Sequence, residues 1–75
     1  MLLSELTVGK RARIKALMPA DKLYRQKLIA MGLLPGTELT LSRIAPLGDP
    51  VEILVRGVAL CLRKVEANLL ELEGV

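Results

Sequence analysis

Apolar and polar residues alternate along "KRARIKAL", with Lys10, Ala12, Ile14 and Ala16 on one side and Arg11, Arg13, Lys15 and Leu17 on the other. A period of two is that of a strand with one face toward a core. Gly9 precedes it as a turn residue, and Leu6 and Val8 are placed to pin the amino-terminal segment against that core. Pro19 ends the strand, and Asp21 stands where a helix N-cap is needed, its carboxylate accepting from free N–H groups of the first turn. The period then turns helical. Tyr24, Leu28 and Met31 recur at the i, i+4, i+7 spacing of one stripe, which predicts a helix over 22–31.

The stretch "YRQKLIAMGLLPG" carries its own stop signals. Gly32 suits the left-handed conformation that ends a helix, with Leu33 or Leu34 folding back onto the last turn. Pro35 and Gly36 fit the two central positions of a type II turn. A second strand is expected over 37–44, with Leu39 and Leu41 on one face and Thr40 and Ser42 on the other. "APLGDP", residues 45–50, reads as a loop because Gly-Asp-Pro punctuates and the prolines lack donors. Residues 51–55 alternate again, Gly57 marks a hairpin turn, and Val58, Leu60 and Leu62 form the return strand. "RKVEANL" makes one helical turn before a last strand over 70–73, with Leu70 and Leu72 inward. The pattern predicts a mainly β fold in one domain over 1–75, a small barrel of about five strands with a short helix inserted between the first two.

Length and composition narrow the chemistry. A chain of 75 residues has room for one domain, and such a domain buries about 60% of the surface its unfolded chain exposes. With no Trp, no Phe and a single Tyr, the core must be aliphatic. One cysteine, Cys61, makes no intramolecular disulfide, which favours a reducing compartment. "MLLSELTVGK" lacks the basic start and apolar stretch of an export signal, because Glu5 interrupts it. The longest uncharged run, 28–37, is broken by Gly32, Pro35 and Gly36 and falls short of the roughly 20 apolar residues that span a bilayer. The expectation is a cytoplasmic protein with no direct membrane insertion.

Catalysis is poorly supplied. The chain has no His, and Cys61 lies in a leucine-rich strand, where it reads as a small core or subsurface residue. Metal chemistry meets the same shortage, since tight transition-metal sites draw on imidazole and thiolate. Glu66, Glu71 and Glu73 offer only weak ligands for a hard cation. "GLLPG" is no phosphate cradle, having neither the trailing Lys-Ser/Thr nor a preceding strand. No cofactor, catalytic residue or metal ligand is expected.

Charge is unevenly placed. Residues 1–27 carry seven Lys/Arg against two Asp/Glu, and residues 28–75 carry four against six. Such an asymmetry fits either a solvated strand face, the plainer reading, or an acidic or anionic partner for the first third. Arg11, Arg13 and Lys15 form a basic strip, but single-strand binders stack bases on aromatic platforms, and one Tyr on a helix makes none. Nucleic-acid binding is therefore the alternative rather than the leading reading.

The remaining signal is an apolar helix, an apolar turn and a proline-bounded loop. Ile29 is the diagnostic residue. If Tyr24, Leu28 and Met31 face the core, Ile29 points away between Arg25 and Gln26; if Ile29 is inward, the stripe is outward. Either packing leaves apolar surface suited to docking.

"YRQKLIAMGLLPGTELTL" followed by "RIAPLGDPVEILVRGVALCLRKVEANLLELE" resembles the FeoA family of bacterial ferrous iron transport. The likeness rests on Lys27-Leu28, Met31-Gly32-Leu33, Pro35-Gly36, "APLGDP" and Leu62-Arg63-Lys64, and it covers nearly the whole chain. The resemblance implies an SH3-like barrel, related to the carboxy-terminal domain of repressors of the diphtheria-toxin-repressor type. It implies a regulator or assembly factor rather than an enzyme, whose partner is a FeoB-like transporter with a cytosolic GTPase domain. Recruitment to the inner face of the membrane through that partner, weak self-association and a capacity for transition-metal binding are compatible with it. A metal-responsive adaptor belongs with nucleic-acid binding as the alternative. The docking residues expected are Tyr24, Arg25, Lys27, Leu28, Ile29 and Met31 on the helix, with Leu47, Gly48, Asp49 and Pro50 in the loop. Gly32, Pro35, Gly36 and Gly57 shape the turns that hold them.

Overall fold

The computed structural model describes residues 1–19 and 21–75. A short 3₁₀ turn, Leu3–Glu5, is followed by strand β1 (Arg11–Leu17), helix α1 (Lys22–Ala30), β2 (Glu38–Ile44), β3 (Val51–Val55), β4 (Val58–Leu62), helix α2 (Lys64–Ala67) and β5 (Leu70–Gly74). The strands form one antiparallel sheet in the order β4-β3-β2-β1-β5. Every strand contributes to a single core, through Ala12, Ile14, Leu39, Leu41, Ile53, Val55, Leu62, Leu70 and Leu72, so the sheet wraps around it. Leu3, Leu28 and Leu33 fill it from outside the sheet.

Alternation determines which residues are inside. Ala12 and Ile14 of β1 and Leu39 and Leu41 of β2 are buried, while Arg11 and Lys15 face solvent. Beyond Ile14 a register shift against β5 interrupts the period, and Ala16 and Leu17 are both half-buried. The barrel predicted from the strand count is open on one side, since β4 and β5 are the two ends of the sheet and do not pair. The cause lies at Arg63, where β4 gives way to α2 and the chain turns across the gap to reach β5.

The helix is held at both ends by local chemistry. The Leu23 N–H donates to Asp21 Oδ1 at 2.9 Å, so Asp21 is the N-cap. At the other end Leu33 N–H donates to Leu28 O at 3.0 Å and Gly32 N–H to Ile29 O at 2.9 Å, a Schellman arrangement with Gly32 at φ +82°. Of the two leucines available, Leu33 folds into the core and Leu34 stays exposed. Thr37 N–H then donates to Leu34 O at 3.0 Å across Pro35 and Gly36, closing the turn, and Thr37 Oγ1 donates to Gly32 O. In the β3–β4 hairpin the two-residue turn Arg56-Gly57 has positive φ at both positions, 53° and 78°, as a type I′ turn requires.

Two expectations are corrected. Val8 is 56% exposed rather than packed on the core, because Lys10 N–H donates to Thr7 O and Gly9 N–H to Leu41 O in a turn that aims Val8 outward. Leu3, with Leu6, does the pinning instead. Cys61 is exposed rather than a core or subsurface residue, because it occupies the outward register position of an edge strand.

Candidate docking surface

Helix α1 packs with its Tyr24, Leu28 and Met31 side inward. Leu28 is fully buried, Met31 is half-buried against the core, and Tyr24 lies at the margin, 41% exposed. Ile29 is exposed on the opposite side with Lys22, Arg25 and Gln26. Of the candidate anchors on this helix, Leu28 therefore contributes to packing, and the accessible set is Tyr24, Arg25 and Ile29. Leu23, 75% exposed, joins them. Its signal in the sequence is an apolar residue at a spacing that fits neither the inward stripe nor Ile29.

Lys27 is exposed along much of its side chain, but its charge is paired. Its Nζ lies 2.6 Å from Glu66 Oε2, and the Glu66 side chain is only 3% exposed. The other oxygen, Glu66 Oε1, accepts from the Arg63 N–H at 2.9 Å, which satisfies a free donor at the start of α2. Burial raises the pKa of Glu66, but the hydrogen bonds from Lys27 and the Arg63 N–H, and the charges of those two residues, outweigh it and hold the group below its ordinary value. Glu66 is the residue that sequence reasoning misplaced, having counted it only as a weak metal ligand. The spacing Arg63-x-x-Glu66, a glutamate three residues after an N-cap, was the available signal.

The loop between β2 and β3 is tied to the same short helix. Asp49 Oδ1 accepts from the Lys64 N–H at 2.9 Å, capping α2 from outside. Within the loop, Gly48 N–H donates to Ala45 O at 2.7 Å and Ala45 N–H to Pro50 O at 3.1 Å. These bonds project Leu47, 96% exposed, from the tip. Pro50 is exposed, Gly48 half-buried. An apolar cavity of about 210 Å³ opens beside Gly48, lined by Leu3, Leu41, Ile44, Val51 and Ala67 among others.

Thus α2 connects the two candidate elements: Lys27 of α1 through Glu66, and Asp49 of the loop through the Lys64 amide. The basic strip of β1 is differently arranged. Arg13 lies 3.6 Å from Glu38 and 3.9 Å from Glu73, and Arg11 lies 3.9 Å from Glu38, so two of its three cations face carboxylates on neighbouring strands. Among the described residues no three His, Cys, Asp or Glu side chains gather closely enough to hold a metal ion. Among the described residues no helix is long and apolar enough to cross a membrane.

Comparison with known proteins agrees with this architecture. Among solved structures, iron(II) transport protein A from Clostridium thermocellum superposes with a TM-score of 0.90 at 44% identity, covering 100% of this chain and 46% of that one. Stenotrophomonas maltophilia FeoA complexed with zinc, described as a procaryotic SH3 domain protein, superposes with a TM-score of 0.82 at 25% identity, covering 97% of this chain and 89% of that one. The Fe(2+) transport protein A/Fe(2+) transporter FeoB fusion protein of Porphyromonas gingivalis is 33% identical over 73 residues, which is 97% of this chain and 8% of the fusion protein. The chain thus spans less than half the length of two of these three relatives. The FeoA domain model matches residues 1–74, and the chain belongs to the FeoA family.

Proposed function

We propose that this chain is a non-catalytic accessory protein of bacterial ferrous iron uptake that docks on the cytosolic GTPase region of a FeoB-type transporter. The observation that carries the reading is the P. gingivalis fusion, in which a segment 33% identical to nearly this whole chain shares one polypeptide with a FeoB transporter. Joining two partners in one chain raises the effective concentration of one for the other, so a fusion is expected where the separate proteins associate. The S. maltophilia relative has itself been suggested as a ferrous iron transport activating factor.

The docking surface in this reading is the outer side of α1 with the β2–β3 loop. Ile29 supplies the apolar anchor of that side, Lys22 and Arg25 supply a positive rim, Leu23 and Tyr24 flank it at the two margins of the helix, and Leu47 supplies a second anchor at the loop tip. An amphipathic helix of this kind fits a groove with an acidic border. The protein acts in the cytoplasm and reaches the inner membrane face through its partner. Titrating the purified chain into the isolated GTPase-bearing region of a FeoB-type transporter tests this. Saturable binding there, absent with the membrane-spanning part alone, is the expected result, and binding confined to the membrane part contradicts it.

A further inference from the structure

The two edges of the sheet are treated differently. Along β5, Leu2 forms a bridge to Glu71 and the Leu72 N–H donates to Met1 O at 2.7 Å, so the amino-terminal segment covers that edge. Glu71 and Glu73 add charge to it. On β4 nothing comparable is present among the described residues. The strand reads "VALCL", without a charge, a proline or a register shift against β3, and these are the usual devices that keep an edge from pairing.

The register shows which groups are left over. Val55 and Val58 close the two-residue turn, so Val58, Leu60 and Leu62 exchange hydrogen bonds with β3, while the N–H and C=O of Ala59 and Cys61 point away from the sheet. No hydrogen bond within the described chain reaches those four groups, and both residues are exposed. Arg56 bounds the strand at one end and Arg63 and Lys64 at the other, all exposed and none in an ion pair among the described residues.

We infer that β4 is a strand-addition site for an extended, uncharged segment of a partner protein flanked by acidic residues. Charge decides the occupant. A second copy pairing antiparallel with β4 would bring the Arg56 turn of one molecule close to the Arg63-Lys64 end of the other at both ends, and like charges brought together there oppose the pairing. Carboxylates at the same two places are attracted instead, which favours a foreign segment and fixes its register. This surface is separate from α1, adjoins the loop only at Cys61 and Lys64, and does not depend on the partner proposed above.

The probe is a capped peptide of alternating Thr and Val, ended by Glu at each terminus and long enough to reach from Arg56 to Lys64. Its binding to the whole chain is followed at low salt by amide NMR. The expected result is shifts along residues 58–62 and slowed exchange of the Ala59 and Cys61 amides. Replacing the terminal Glu residues with Lys should weaken binding by about ten-fold or more, an effect that salt reduces. Ala59→Pro removes a donor that pairs with nothing in the fold, and it should abolish binding while the other amide resonances stay in place. A peptide N-methylated on the edge facing β4 should also fail to bind, a control that needs no variant to fold. Equal binding of the Lys-ended or N-methylated peptide, no binding of the acidic one, or a dimer formed through β4 without peptide would each overturn the inference.

Discussion

Lys27 Nζ and Glu66 Oε2 meet at 2.6 Å across the interface between α1 and α2, joining the longer helix to the four-residue helix that also receives the Asp49 carboxylate. The carboxylate is buried and the lysine half-exposed, so the contact is a charged hydrogen bond anchored at its acidic end. It ties α1 to the same short helix whose first amide is bonded to the loop.

Glu66→Gln should cost about 1.5–3 kcal/mol, the range for hydrogen bonds to a charged group. The same pair gives an acid-side pH dependence. Because the folded-state pKa of Glu66 lies below its unfolded value of 4.5, its contribution is fully present above that value and is lost as pH falls through the lower folded value. Urea unfolding at neutral and acid pH checks this: the wild-type advantage over Glu66→Gln should shrink below pH 4.5.

Asp49→Ala should cost about 0.5–2 kcal/mol, as the loss of an N-terminal helix cap does. Amide exchange separates this from a general loosening. The Lys64 amide, which donates to Asp49, should exchange faster than in wild type, while the amides of β1 that pair with β5 change little.

Leu28 and Ile29 are neighbours in sequence with opposite roles. Leu28→Ala should lower stability by about 2–5 kcal/mol, since it empties a fully buried position. Ile29→Glu, at a site 44% exposed, should stay within about 0.5 kcal/mol of wild type. Chemical unfolding of the two variants side by side gives the comparison.

Short-range chemistry was legible in the sequence, and long-range pairing was not. The Asp21 cap, the Gly32 stop and the Pro35-Gly36 turn each depend on residues within a few positions, and each could be read from composition and spacing. The inward sets Ala12/Ile14 and Leu39/Leu41 followed from alternation alone. Glu66 differs, because its partner Lys27 is remote in sequence and two helices had to be placed before the pair existed. Cys61 differs for a related reason: alternation says which face a residue takes but not whether its strand lies at an edge. The burial of Leu3 likewise follows from the pairing of the first residues with β5, at the other end of the chain.

Replacing Arg11, Arg13 and Lys15 with Gln should leave docking largely intact, since the strip lies on β1 and its arginines face Glu38 and Glu73. Wild type should show no tight, steeply salt-dependent binding to an oligonucleotide. A steep dependence, lost in the triple variant, would instead mark β1 as a phosphate-contacting surface.

The central claim is that the outer side of α1 meets the transporter. Its most direct test is the affinity of Ile29→Glu and Arg25→Glu for the GTPase-bearing region of a FeoB-type transporter, each variant first shown to unfold at the wild-type midpoint. Loss of an apolar anchor at an interface centre costs about 2 kcal/mol or more, and Ile29→Glu should therefore weaken binding at least thirty-fold or so, with Arg25→Glu weakening it most at low salt. Two variants that keep both the fold and wild-type affinity would contradict the account and place the interface elsewhere on the molecule.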